Sequence, residues 1–194
     1  MRKFITYCFI LFIFAGSAYV LTKNWRDILI LFTESLRQYG IFLATSTAFY
    51  LILLRNKLRF WENFIHEFTH LIVAILLMDK IRQFYVSETS GELVLHSSHK
   101  NILVSLSPYF FPVITLMTLL FLNNSTVIPP IIVACIYGLY FGKNINQIIR
   151  CKKEIMEFPV IGIPFIILMN FWFGLIILSW CAGKSDVLVH FLKL

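Results

Sequence analysis

Charged residues are scarce in this chain of 194 amino acids: 14% are Asp, Glu, Lys or Arg, whereas 59% are hydrophobic. A chain this apolar has the lipid bilayer as its solvent, which excludes a soluble globular protein. The polar alternation of a membrane β-barrel is also missing, which leaves helices whose backbone groups bond within each segment. The sequence therefore predicts an all-α integral membrane protein.

Cysteine and histidine are also sparse, with 4 and 5 residues. Cys8, Cys135, Cys151 and Cys181 lie far apart, so neither a disulfide framework nor a CxxC metal site is expected. Five histidines are too few for a multi-histidine di-iron oxidase. The absence of an internal repeat argues against a transporter built from inverted repeats.

The net charge of +7 does not indicate nucleic-acid binding. The Lys and Arg residues fall between apolar runs, where they set topology and contact lipid headgroups. We therefore expect the bilayer as a partner and no nucleic acid. Ten of these residues fall on the odd-numbered connections and seven on the other side, which predicts a cytoplasmic hairpin and an N-terminus outside.

Six apolar runs are long enough to predict about six transmembrane helices in one membrane domain. They cover residues 4–21, 39–54, 61–78, 102–122, 131–149 and 160–181. The first run contains small residues typical of a signal-peptide cleavage site, Ala15-Gly16-Ser17-Ala18, but it continues beyond them, so a retained helix is predicted.

Three features between or within these runs predict local structure. Residues 24–38 alternate apolar and charged side chains at helical spacing, which predicts an interfacial amphipathic helix. Residues 82–98 alternate locally around Ser90-Gly91, which predicts a short β-hairpin. Pro108 and Pro112 are predicted to kink or open the fourth run.

The third run contains the pattern HExxH, as His66-Glu67-Phe68-Thr69-His70. Residues i and i+4 share one helix face, so both imidazoles can bind one tetrahedral Zn²⁺. Glu67 is then the catalytic base that takes a proton from the metal-activated water during peptide hydrolysis. The alternative is that the three residues sit at the headgroup level and only cap the helix. Ionisable groups within a span are costly without a ligand, which favours the metal.

The motif and its surroundings resemble the site-2 protease family of intramembrane zinc metalloproteases, and in particular a bacterial branch of short metallopeptidases. The resemblance covers about residues 61–170 and rests on HExxH, then on Ser90-Gly91-Glu92-Leu93 and on the segment from Asn101 to Pro112. It implies His66 and His70 as metal ligands, Glu67 as the base, a membrane-embedded peptide or protein as substrate, and a multi-pass protein of the bacterial inner membrane.

The resemblance also implies a third ligand, usually an Asp, from a later helix. No Asp lies between Lys80 and Ser185, and Asn144 and Val160 stand where the narrower branch is expected to have His and Asp. The candidates that remain are Asn144, Asn146, Glu154, Glu157, Asn170, Asp186 and His190. Each also has an ordinary role: the Asn residues can bond between helices, and the others can lie in solvated segments.

Two hypotheses follow from these residues. The first is a zinc-dependent intramembrane endopeptidase. The second is a catalytically inactive, protease-like membrane protein that acts by binding, which the missing Asp favours. In either case the hairpin is a candidate for binding an extended peptide by strand addition or is an ordinary connection, and His96 and His99 are expected to be exposed loop residues.

Overall fold

The computed structural model describes residues 2–54, 57–96, 101–121, 128–150 and 161–183. In chain order the elements are α1 (Arg2–Phe49), a π-helical turn (Tyr50–Leu54), α2 (Arg59–Leu76), β1 (Ile81–Val86), β2 (Gly91–Leu95), α3 (Ile102–Phe110), α4 (Val113–Phe121), α5 (Ile128–Arg150) and α6 (Gly162–Cys181). The described part is thus mostly helical with one short hairpin after the HExxH helix, which confirms the predicted class at this level.

Two helical segments are long and apolar enough to cross a membrane, namely Thr6–Leu54 and Gly162–Cys181. A third crossing is added if α3 and α4 form one broken span. α2 and α5 have 18 and 23 residues, but ionisable side chains such as Glu67 and Lys143 interrupt their apolar character. These helices agree with a membrane protein, while the predicted number of six spans stays a prediction.

The predicted interfacial segment, residues 24–38, is not a separate helix. The non-helical backbone angles within α1 occur at Asn24 (φ −120°, ψ 21°), so a bend lies at the predicted start of this segment, and the helix then continues without a break into the next predicted span. Ile28 and Leu31, on the apolar face of the segment, are buried against Leu175 of α6. The predicted end at residue 38 was wrong because apolar residues at helical spacing look the same whether they cover protein or lipid.

α1 and α5 approach each other closely at Gly138 and Gly142, which have the small-xxx-small spacing of membrane helix contacts. A Cβ atom on Gly138 would lie 2.6 Å from the Leu43 carbonyl oxygen, and one on Gly142 would lie 3.1 Å from the Thr47 carbonyl oxygen. Thr47 Oγ1 donates a hydrogen bond to the Gly138 carbonyl at 2.9 Å. The two glycines therefore set the distance between these helices.

The fourth predicted span is broken at Pro112, where α3 and α4 meet at an angle of 68°. Pro112 has no N–H group, and the Val113 N–H bonds to the Phe111 carbonyl at 2.9 Å instead of reaching back a full turn. The predicted kink is confirmed. The break leaves the Tyr109 carbonyl without its helical partner, which bears on the site described below.

The hairpin predicted within residues 82–98 is confirmed, with antiparallel pairing of β1 and β2. Leu93 and Leu95 of β2 pack near Ala74 of α2 and Val104 of α3. The apolar side chains of β2 therefore attach the hairpin to the helix that carries HExxH.

Candidate metal centre

The HExxH residues lie in the middle of α2. This helix contains neither Gly nor Pro, and the chain leaves it at Met78, whose φ of 55° is left-handed. His66 and Glu67 are buried, and His70 is half-buried. A continuous helix thus holds the three side chains away from water and puts both imidazoles one turn apart on the same face.

The candidate ligand atoms of His66, Glu67 and His70 lie within 4.8 Å of one another. Nε2 of His66 and Nε2 of His70 are 3.2 Å apart, and the two rings are nearly perpendicular at 84°. Two imidazole nitrogens bound to one tetrahedral zinc at ordinary distances are about 3.3 Å apart. The pair therefore has the separation that a shared metal ion requires.

A carbonyl of α3 fixes the orientation of His70. Its Nδ1 lies 2.6 Å from the Val104 carbonyl oxygen, and since a carbonyl only accepts, Nδ1 carries the proton and donates it. The other ring nitrogen of His70, Nε2, faces His66 Nε2 at 3.2 Å, which is the side on which a metal would bind. The Ser107 hydroxyl donates to the same carbonyl at 2.7 Å, which holds the carbonyl in place.

Tyr109 of α3 contacts His66 through its ring and bonds to α5 and α6 through its carbonyl. The edge of its fully buried ring meets the His66 ring, with centroids 5.6 Å apart. Its carbonyl, released by the break at Pro112, accepts hydrogen bonds from Asn144 Nδ2 at 3.0 Å and from Asn170 Nδ2 at 2.8 Å. Side chains of α5 and α6 thus supply the hydrogen bonds that the Tyr109 carbonyl lacks because the helix is broken.

The structure accounts for two of the candidate third ligands by these contacts. Asn144 and Asn170 bond between helices, the ordinary role considered for them, and their Oδ1 atoms have no hydrogen-bond partner in the described ranges. Asn146 is buried on α5. Glu154, Glu157, Val160, Asp186 and His190 lie outside the described residues. Within those residues, His66, Glu67 and His70 are the one group of His, Cys, Asp and Glu found that could hold a metal.

Two contacts at the site were not predicted from the sequence. Gly91 lies against Glu67, so that a Cβ atom at position 91 would be 3.0 Å from Glu67 Oε1. Glu62 is buried and accepts a hydrogen bond from the Tyr50 hydroxyl. The sequence could have indicated that Glu62 belongs to the site, because it stands one turn before His66 in an apolar segment where a carboxylate is costly. His96 is exposed as expected, and His99 lies outside the described residues.

Comparison with known proteins gives no match of any of three kinds. No protein-family model, no curated protein and no solved structure matches the chain. The resemblance to the site-2 protease family is therefore carried by the residues quoted above and by nothing beyond them.

Proposed function

We propose that the protein is a zinc-dependent intramembrane endopeptidase that hydrolyses a peptide bond in a membrane-associated substrate. The observation that carries the proposal is the convergence of His66 Nε2 and His70 Nε2 at 3.2 Å, with Glu67 beside them in a mostly buried cluster. Burying such a cluster in an apolar helix costs free energy that a bound metal ion would offset. Imidazole donors at this spacing suit Zn²⁺.

Glu67 has the role of the base in this reaction. Zinc, when bound, would polarise the scissile carbonyl and lower the pKa of water. Glu67 accepts a proton from the attacking water, whose oxygen bonds to the carbonyl carbon. Glu67 then gives that proton to the amide nitrogen as the C–N bond breaks, which returns the carboxylate to its starting state. Gly91 and the hairpin cover one side of Glu67 and limit its access to bulk water.

The third protein ligand of a catalytic zinc remains to be assigned. The candidates are Asn144, Asn170, Glu157 and Asp186. The amide nitrogens of both Asn residues are engaged with the Tyr109 carbonyl, which leaves only their neutral oxygens for a metal. Carboxylates bind Zn²⁺ better than neutral amides do, so zinc content in alanine variants of the four residues would identify the ligand.

The proposal extends to the substrate and the membrane. β2 brings the hairpin to Glu67, so a substrate segment that adds as a further strand would be held extended beside the base. We also propose that the chain crosses a bacterial inner membrane six times. Labelling of engineered cysteines from either side of the membrane would count the crossings.

The test uses the full chain purified in detergent, with Glu67→Gln and His70→Ala variants, and measures zinc content beside cleavage of a transmembrane peptide. We expect near-stoichiometric zinc in the parent and in Glu67→Gln, its loss in His70→Ala, and cleavage by the parent alone. Removing zinc with a chelator should stop cleavage, and adding zinc back should restore it. A parent protein without zinc would overturn the proposal.

The second candidate is a protease-like protein that binds membrane peptides without cutting them. It is favoured by the absence of an Asp between Lys80 and Ser185. It predicts that neither the parent nor Glu67→Gln cleaves the peptide, and that both bind it equally when binding is measured on the same purified proteins. Cleavage that depends on Glu67 would exclude it.

A further inference from the structure

A cavity of about 220 Å³ lies between α2, α4, α5 and the π-helical turn, one helical turn from His66. Most of its lining is apolar and comes from Leu54, Leu58, Trp61, Ile65, Ile114, Ile136 and Leu139. Two side chains of opposite charge, Glu62 of α2 and Lys143 of α5, also line it. The cavity thus combines a mainly apolar lining with one charged pair.

The charged pair is almost completely buried, with 7% of Glu62 and 4% of Lys143 exposed. Glu62 accepts a hydrogen bond from the Tyr50 hydroxyl. Lys143 Nζ has no hydrogen-bond partner among the described residues, and the Tyr140 ring lies 6.0 Å away. A buried amine nitrogen whose N–H groups have no acceptor is costly, and a ligand oxygen would relieve that cost.

We propose that this cavity is a substrate subsite that binds a secondary amide carrying an apolar group, which is the chemistry of a peptide residue with a Leu-like side chain. The carbonyl oxygen of the amide accepts from Lys143, whose flexible side chain can turn toward the cavity. The amide N–H donates to Glu62, and the apolar group fills the remaining volume. Because one polar lining residue is acidic and the other is basic, a neutral amide fits better than an anion, which Glu62 repels, or a cation, which Lys143 repels.

The position of the cavity relates it to the reaction. Glu62 and His66 are separated by about 6 Å along the axis of α2. An extended peptide advances about 3.3 Å for each residue. If the proposed protease function holds, on which this assignment to a peptide rests, the cavity receives the residue about two positions from the scissile bond.

The experiment measures binding and needs no catalysis. Two probes of the same shape, N-methyl-4-methylpentanamide and methyl 4-methylpentanoate, differ in one N–H group and represent a peptide amide and a lipid-like ester. Their affinities are measured by saturation-transfer NMR on the full chain in deuterated detergent, with the Glu67→Gln variant to exclude turnover. We expect the amide to bind at least about tenfold more tightly than the ester, because hydrogen bonds to charged groups contribute about 1.5–3 kcal/mol.

Three variants locate the binding. Lys143→Met should weaken amide binding at least about tenfold by removing the donor to the amide carbonyl. Leu139→Phe, which narrows the cavity without altering a charge, should weaken amide binding and remains informative if Lys143→Met does not fold. Ile52→Phe, at a position that is 77% exposed and outside the cavity, is the control and should bind normally.

Each contrary result overturns the inference. Equal affinity for the ester would make the cavity a site for lipid ester carbonyls. Normal amide binding by Leu139→Phe would place the ligand elsewhere, and no binding by the parent would remove the site. None of these results depends on zinc or on cleavage, so the subsite and the protease proposal can fail separately.

Discussion

Gly91 of β2 and Glu67 of α2 are in direct contact. A Cβ atom at position 91 would stand 3.0 Å from both Cδ and Oε1 of Glu67 and closer still to Cγ. Only glycine leaves room for the carboxyl group in this position. Gly91, which the sequence marks as a turn residue, therefore also determines where the candidate base can lie.

Gly91→Ala should lower peptide hydrolysis at least about tenfold, because a displacement of the base by about 1 Å is enough to disturb proton transfer. Zinc content should not change, since the three atoms nearest to a Cβ at position 91 all belong to Glu67, which is the proposed base and not a ligand. The measurement is kcat on a transmembrane peptide together with bound zinc. Gly16→Ala is the matched control, because nothing lies within 4 Å of a Cβ atom there. Full activity in Gly91→Ala would show that Glu67 does not depend on this contact.

Asn63 attaches the hairpin turn to α2. Its Nδ2 donates to the carbonyls of Ser87 and Glu88, both at 3.2 Å. Asn63→Leu removes both bonds, each contributing about 1 kcal/mol, so backbone amides of the turn should exchange with deuterium about fivefold to thirtyfold faster. Phe60→Leu, on the exposed part of the same helix, should leave the exchange unchanged. Unaltered exchange in Asn63→Leu would mean that the strand packing alone holds the hairpin.

Asn144 and Asn170 share the Tyr109 carbonyl, so their contributions to stability should not be independent. Replacing either with Leu leaves one donor on the carbonyl, while replacing both leaves it without either. We expect the double variant to lose about 1–3 kcal/mol more than the sum of the single variants, because an unsatisfied buried carbonyl is costly. The free energies of unfolding in detergent measure this difference. Strictly additive losses would contradict the shared acceptor.

The features that the sequence predicts depend on a few residues that are close together in the chain. His66 and His70 share a helix face because they are four residues apart, and the strand alternation around Gly91 predicts the hairpin. Pro112 breaks its helix because it lacks an N–H group. Each of these follows from local geometry, so each could be stated before the fold was known.

The features that the sequence does not predict join residues far apart in the chain. The Tyr109 carbonyl meets Asn144 and Asn170, which are 35 and 61 residues away. The sequence does not show that these two residues bond to this carbonyl, because the contact depends on how α5 and α6 pack against α3. The continuation of the helix past residue 38 is missed for a related reason, since the helical pattern of apolar residues runs on into the next predicted span.

The crossing of α1 and α5 offers a test of the packing that supports the site. Gly138→Ala would push a Cβ atom to 2.6 Å from the Leu43 carbonyl oxygen, so the helices must separate and the Thr47 bond to the Gly138 carbonyl must stretch. We expect a loss of about 1–3 kcal/mol in the free energy of unfolding, as for other overpacked contacts.

Two further variants separate overpacking from the lost hydrogen bond. Thr47→Val removes only the bond to Gly138 and should cost about 0.6 kcal/mol. Gly40→Ala is the control, because its Cβ atom would meet Leu36 at an ordinary 3.8 Å, and Ala in a helix interior is favoured over Gly by about 0.5–1 kcal/mol. If Gly138→Ala proved as stable as Gly40→Ala, the helices would not approach this closely. A large loss for Gly138→Ala and a small one for Thr47→Val would show instead that close backbone packing, more than the hydroxyl, holds α1 against α5.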